Sequence, residues 1–361
     1  MRTPERNYIS GRDLSRRGPL VLKPEHAQHY AQLARIGINV DALAMDSALT
    51  GPVIGAAGTL AQNLQTWLPG LVHQLTTVRL IDELCGVQTM GSWEDEEIIQ
   101  GTMEATGKAE LYGDTTNIPF ANYKNGYERR TIVRFEQGLF VSRLEELRAA
   151  KAGINDAAEK RSAASESLDI SRNRVGFYGF SSPETRTYGF LNDPQLPGYV
   201  TLPTNGSSPA TSSWAQKSFL QLTADIRRMV ADLVVSGGGH ISNKTPMTLA
   251  LPLGHGEFLG VTSEQGNSVQ DWLTKTYPGI RVIEVPELVG ANGGANGAYL
   301  YADSVKGGST DDGRVLTQIV PTRFQVIGSE QRAKGYLEDF TNATAGVLFK
   351  RPWAVRRYTG L

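Results

Sequence analysis

The chain has 361 residues, longer than one average domain, with 40% hydrophobic and 20% charged side chains and a formal net charge of -1. That composition excludes a disordered chain, and the near-zero charge removes any global reason to expect nucleic-acid or membrane binding. A single cysteine, Cys85, excludes an internal disulfide and fits synthesis in a reducing cytoplasm, and no run of eighteen apolar residues is present to span a bilayer.

Residues 1–24 are basic, with Arg2, Arg6, Arg12, Arg16, Arg17 and Lys23 against Glu5 and Asp13. Gly11, Gly18, Pro19 and Pro24 interrupt them, so they read as an extended arm. Met1 to Arg6 lacks the apolar stretch of a secretory signal. Glu25 to Ile36 can be helical, 41–58 is small and apolar without a strong period, and 71–84 fits helix or strand. At the other end Lys350, Arg351, Arg356 and Arg357 stand without an acid in 350–361, which leaves the middle of the chain acidic. Basic ends on an acidic body suit contacts between copies or with nucleic acid, and equally suit solvated, solubilising tails.

Residues 92–104, through Glu94-Asp-Glu-Glu97, read as an exposed strand. From Tyr123 to Phe135 the pattern alternates, with Tyr123, Tyr127, Thr131, Val133 and Phe135 on one face and Lys124, Glu128, Arg130 and Arg134 on a wet one. Turn signals lie between, at Gly107-Lys108, Tyr112-Gly113-Asp114 and Ile118-Pro119-Phe120. Together they predict a long two-stranded excursion that is marginal alone and needs another surface.

Leu139, Phe140, Leu144 and Leu147 suggest an apolar helical stripe ending at Gly153. Asp156-Ala-Ala-Glu159 has the spacing of a capping box and opens a second helix to Val175, closed by Gly176 and Gly179. Its face of Ala157, Ala158, Ala163, Ala164 and Leu168 admits close neighbours. Residues 177–204 are turns and short strands, and 205–213 is a linker by composition. A third helix is predicted over Trp214–Val235, with Phe219, Leu222, Ile226, Met229 and Leu233 at helical spacing. Strand over 247–251, helix over 268–276 and strand over 280–285 complete an α/β region from 214 to about 320. After Pro321, strands are expected at 323–328 and 344–358.

No motif carries chemistry well. Gly290-Ala-Asn-Gly-Gly-Ala-Asn-Gly297 follows a strand, but it precedes a strand instead of the helix that phosphate cradling needs. The run Gly307–Gly313 reads as a loop too. His26 and His29 lack completing ligands, His255-Gly-Glu257 lacks the helical pair spacing of zinc proteases, and the acids at 94–97 have no matching ligands nearby. No catalytic, cofactor or metal residues are assigned.

Several phrases point elsewhere. They are Tyr112-Gly113-Asp114, Glu128-Arg-Arg-Thr-Ile-Val-Arg-Phe-Glu-Gln-Gly138, Asn173-Arg-Val-Gly-Phe-Tyr-Gly179 and Gly189-Phe-Leu-Asn-Asp-Pro194. Thr245-Pro-Met-Thr-Leu-Ala-Leu251 and Gly346-Val-Leu-Phe-Lys-Arg-Pro352 follow. In this order the chain resembles tailed-phage major capsid proteins of the HK97-type fold. The resemblance implies an α+β chain with an N-terminal arm and helix (1–85), an E-loop β-hairpin (86–134), and a P-domain with a long spine helix (156–175). The P-domain would be split into 135–205 and 322–361 around an α/β A-domain (206–321).

The resemblance also implies self-assembly into hexamers and pentamers, forming an icosahedral or prolate head around double-stranded DNA. Portal, scaffolding or decoration proteins would be further partners, DNA contacts would be non-specific, and the virion would assemble in the host cytoplasm without membrane or cofactor. An encapsulin-like compartment shell and an α/β enzyme using 214–320 are the rival readings. One branch of the fold joins an E-loop lysine to a neighbour's asparagine. Lys108, Lys124 and Asn342 supply the residue types here without a matching environment, so a non-covalent shell is expected.

Overall fold

The computed structural model describes residues 78–361, apart from 115–117, 152–154, 183, 207–210, 306 and 308. The arm at 1–24, the helix expected at 25–36 and the apolar stretch at 41–58 lie outside the described residues. The first described elements are a short helix α1 (Ile81–Cys85) and strand β1 (Val87–Gln88). Strands β2 (Glu97–Thr106) and β3 (Asn122–Thr131) form an antiparallel ribbon that joins no other sheet.

The alternation read as one strand over 123–135 is broken at Ile132. Its N–H donates to Glu96 O at 2.9 Å and its side chain is 4% exposed, in a cluster with Ile319, Ala343, Ala345 and Leu348. Beyond it β4 (Val133–Ser142) belongs to a different sheet. The helical stripe expected from Leu139 is therefore corrected. Leu139 and Val141 are buried two residues apart, the strand period, while Phe140 between them is exposed. Helix α2 (Arg143–Lys151) begins only afterwards and buries nothing, leaving Leu144 and Leu147 exposed.

Helix α3 (Asp156–Tyr178) is 23 residues long, or about 35 Å at 1.5 Å per residue. Its cap is Asn155, whose Oδ1 accepts from Ala158 N at 3.2 Å, so the predicted Asp156 box is displaced by one residue. Asp156 instead pairs with Lys160 at 2.8 Å. Gly176 does not end the helix. A Cβ there would sit 2.6 Å from Ile81 Cγ1, so glycine lets α1 lie against the helix. The stop is Gly179, at φ 68, whose N–H returns to Val175 O at 2.8 Å.

The principal core lies further along the chain. After β5 (Tyr199–Thr201), Lys217 is extended and Ser218 caps a new helix, α4 (Phe219–Ser236), through a box with Gln221. Trp214–Gln216 is thus a separate turn and not the predicted first turn of that helix. It is held back on α4 by Asp225, which accepts from Trp214 Nε1 at 3.2 Å and Lys217 Nζ at 2.6 Å. The stripe Leu222, Ile226, Met229 and Leu233 is buried as its spacing predicts.

Strand β6 (Met247–Pro252), helix α5 (Val269–Thr276) and strand β7 (Ile280–Val285) make a parallel βαβ unit. Strand β8 (Gly297–Ala302) pairs antiparallel to β6, and both strands are buried at every residue, as strands covered on both faces are.

The remaining strands are β9 (Leu316–Ile319), β10 (Thr322–Arg332), β11 (Gly335–Thr344), β12 (Val347–Phe349) and β13 (Val355–Thr359). The order β10-β11-β4 forms one sheet, covered by α3 through Ala157, Ala164 and Leu168 against Leu139, Val141 and Phe340. The order β1-β9-β12 forms a second. Against the expectation that all of 322–361 returns beside the long helix, β13 enters the five-stranded sheet β5-β13-β8-β6-β7, between β5 and β8. The single strand expected at 344–358 is the end of β11, then β12, a turn at Pro352–Ala354, and β13.

Candidate subunit interface

The β2–β3 ribbon runs in unbroken register from Glu97↔Thr131 to Thr106↔Asn122. Ten residues at about 3.3 Å each give it a reach of roughly 33 Å. Its pattern was expected to show one wet face. Instead the outer part of the ribbon is exposed on both faces, including Ile99, Met103, Tyr123 and Tyr127. The tip is more apolar still, with Leu111 96%, Tyr112 92%, Ile118 77% and Phe120 89% exposed. Apolar surface uncovered to this extent on a two-stranded ribbon makes it the candidate contact element of the chain.

The base is rigidly held. Arg130, placed by its alternation on the wet face, is 1% exposed, among the most buried side chains described. Its guanidinium donates to Asp193 Oδ2 at 2.6 Å and to Glu128, and lies 5.0 Å from the Tyr188 ring centroid. Gln195 Nε2 donates to Glu128 at 2.7 Å, and Thr187 Oγ1 to Thr131 O at 2.7 Å. On the β2 side Arg134 donates to Trp93 O and Asp95 O at 2.7 and 2.6 Å, and Trp93 and Ile98 pack on the Ile132 cluster. Burial pushes the Asp193 carboxyl above the ordinary carboxylate range, opposed by the Gln195 amide and the Arg130 charge. Asp193 is named in the resemblance phrases, but nothing in a linear sequence pairs it with Arg130.

The other singled-out residues have ordinary places. In the acidic run, Glu97 faces Arg129 at 3.8 Å, Glu96 faces Arg134 at 3.5 Å, and Asp95 accepts from Ser92 N at 2.7 Å. The 290–297 loop closes on itself through Gly290 N to Asn296 Oδ1 and Asn292 N to Ala295 O, and β8 follows it directly. His255 Nε2 lies 3.3 Å from Asn296 Nδ2. Among the described residues no group of three His, Cys, Asp or Glu is placed to hold a metal ion. Lys108 and Lys124 are exposed on the ribbon, whereas Asn342 is fully buried beneath α3.

The basic C-terminal segment is neither a free tail nor a free nucleic-acid surface. Arg351 makes two bonds to Asp311, at 2.6 and 3.0 Å, and Lys350 pairs with Asp312 at 2.9 Å. Arg357 donates to Pro197 O and stacks 4.4 Å from the Tyr199 centroid. Lys350 and Arg351 fasten 309–314 to the segment that follows β12, and Arg357 fastens the approach to β5 onto β13. Hydrogen bonding to Arg351 holds the Asp311 carboxyl well below the usual carboxylate range. The stability from this pair is therefore full above about pH 4, the unfolded value, and is lost only as pH falls below it. An Arg351→Met variant should melt lower than the parent by a constant margin from pH 8 to about 5. That margin should shrink below about pH 4 in a thermal-unfolding series, and a margin that grows with acid would contradict the assignment.

Three solved structures share this architecture. The capsid of Myoviridae phage XM1 superposes with a TM-score of 0.65 at 18% identity, over 84% of this chain and 99% of that one. The capsid of an empty GTA particle gives 0.56 at 11%, over 86% and 99%. The Gordonia phage Cozz chain gives 0.51 at 13%, over 87% and 98%. At these identities the likeness shows the fold, which is the HK97-type capsid fold. No curated protein matches the sequence. The profile of the Pa193 gp26 major capsid protein matches residues 53–360, and the chain belongs to that family of tailed-phage major capsid proteins.

Proposed function

We propose that copies of this chain close into hexamers and pentamers and that these tile into the head of a tailed phage around double-stranded DNA, with the β2–β3 ribbon lying on the next subunit. The observation that carries this is the ribbon itself, fixed at its base and uncovered at an apolar tip. Its contact is heterologous, because one subunit's ribbon meets a different surface of the next, and such contacts close into rings when the rotation closes. In the terms of the fold, 86–134 is the E-loop and α3 the spine helix. The P-domain is built on β4, β10 and β11, and the A-domain on the five-stranded sheet. The virion is then the site of action, and portal, scaffolding or decoration proteins are further partners. Contacts with DNA fall to the basic residues of 1–24, since Lys350, Arg351 and Arg357 are engaged within the chain.

The test is removal of the tip. Deleting 108–120 and joining the ribbon through a Gly-containing turn should leave secondary structure and melting temperature unchanged, because none of the described residues in it is buried. Particles counted by electron microscopy should fall at least tenfold. Undiminished particles would sink the reading. Nucleic acid inside parental particles, with no enclosed protein cargo, separates a virus head from the encapsulin-like rival, and the family match favours the head.

A further inference from the structure

The tip needs a specific receiving surface. A concave, mainly apolar site lies at the C-terminal end of α3, a groove of about 750 Å³ whose lining includes Phe135, Val175, Tyr178 and Phe180. Its volume is within the range of sites that bury a ligand, and its rim is aromatic. Phe135 and Phe180 meet edge to face with centroids 6.4 Å apart, while Tyr178 and Phe180 remain 51% and 40% exposed.

Charge matches as well. Arg174, on the groove, is exposed and has no ion-pair partner among the described residues. On the ribbon, Glu110 and Asp114 flank Leu111 and Tyr112, are exposed, and are likewise unpaired among the described residues.

A subunit's own tip cannot fill its own groove. Phe135 lies four residues beyond Thr131, at the base of the ribbon, and the tip projects some 30 Å away along a ten-pair antiparallel register. Filling the groove with a ribbon tip therefore takes a second copy.

We propose that Leu111, Tyr112, Ile118 and Phe120 of one subunit seat in the Phe135–Tyr178–Phe180 groove of a second copy, with that copy's Arg174 facing Glu110 and Asp114. This rests on the reading that the ribbon lies on another subunit, and it names where. The contact joins some of the most exposed large apolar residues described to an aromatic groove, and the unpaired charges fix its direction. It also ties each ribbon to the end of its neighbour's long helix, directly beside the neighbour's own ribbon base. Successive ribbons around a ring would then be mechanically linked.

The experiment places a photoreactive phenylalanine analogue at 112 in the full chain and, separately, at 118. Particles are assembled from mixed light and isotopically heavy chains, irradiated, and mapped by mass spectrometry. Light–heavy peptides joining 112 or 118 to the segment 171–181 or to 135 are the expected result. Light–heavy products at another surface overturn the groove and leave the proposed ribbon contact standing. Products confined to one chain overturn both. Charge reversal gives an independent check. E110K and R174E should each lower particle yield at least tenfold, and the E110K/R174E pair should recover to within about threefold of the parent. A pair no better than the singles overturns the stated orientation.

Discussion

An Arg130→Met variant is expected to lose about 3–5 kcal/mol of stability, because it strands the Asp193 carboxylate inside the protein without its cation. The Arg130 and Asp193 side chains are 1% and 0% exposed, and no other cation contacts Asp193 among the described residues. For a domain of this size each kcal/mol moves the melting temperature by about 2–4 °C, so a drop of roughly 10 °C should be seen at pH 7. The sign of its pH dependence follows from burial. A carboxyl whose folded pKa is raised favours the protonated, folded form, so the variant should regain stability as pH is lowered toward 5. Arg130→Met combined with Asp193→Leu should recover most of the loss, since a buried pair exchanged for apolar groups of similar volume is close to neutral. A single variant melting within about 2 °C of the parent would show that the pair does not hold the ribbon's base.

That pair also marks where sequence reading stops. The alternation from Tyr123 gives a strand correctly as far as Thr131, though not across the break at Ile132, and it places Arg130 with Lys124 and Glu128 on one face. It cannot say that this face turns inward at the base, because the covering loop, Tyr188 to Gln195, is some sixty residues away. The apolar tip was visible as turn signals, yet Leu111 and Phe120 in a linear string look no different from residues of a small core. Only the ribbon in three dimensions shows that they join no core among the described residues.

Elsewhere local patterns succeeded where an element's own residues decide its type. The Leu222–Leu233 stripe, the Met247 and Ile280 strands, and the Ser268 helix start are each fixed by their own neighbours. Leu139–Leu147 failed because the strand β4 runs directly into the helix α2, and two apolar residues from each mimic one helical face. The hairpin end at Gly335 lacked a strong turn signal, and β13 looked like a returning outer strand. Its partners, β5 and β8, are distant in sequence, and non-local pairing of that kind leaves no trace in periodicity.

Particles of this protein, boiled in SDS, should run as a single band at the monomer mass. A lysine–asparagine bond between subunits needs an amide that a neighbour can reach, and Asn342 is 0% exposed. It lies on β11 opposite Phe135, and its Nδ2 donates to Leu168 O of α3 at 2.8 Å, so the amide sits between sheet and helix. A lysine could approach only after α3 had lifted from the sheet, at the expense of the Ala164–Leu168 packing. Lys108 and Lys124 are in solvent on the ribbon, without a carboxylate partner among the described residues to take a proton from them. The same geometry makes Asn342 a structural clamp. Asn342→Asp would set a carboxylate oxygen against the Leu168 carbonyl and bury a charge with no cation beside it, costing on the order of 3 kcal/mol or more. Asn342→Leu removes one hydrogen bond, about 1 kcal/mol, and also relieves the Oδ1 that is buried without a partner, so it should melt near the parent. A ladder of covalent multimers on the gel, with ammonia lost at a Lys–Asn junction, would show that α3 does lift during assembly and that Asn342 is an acceptor after all.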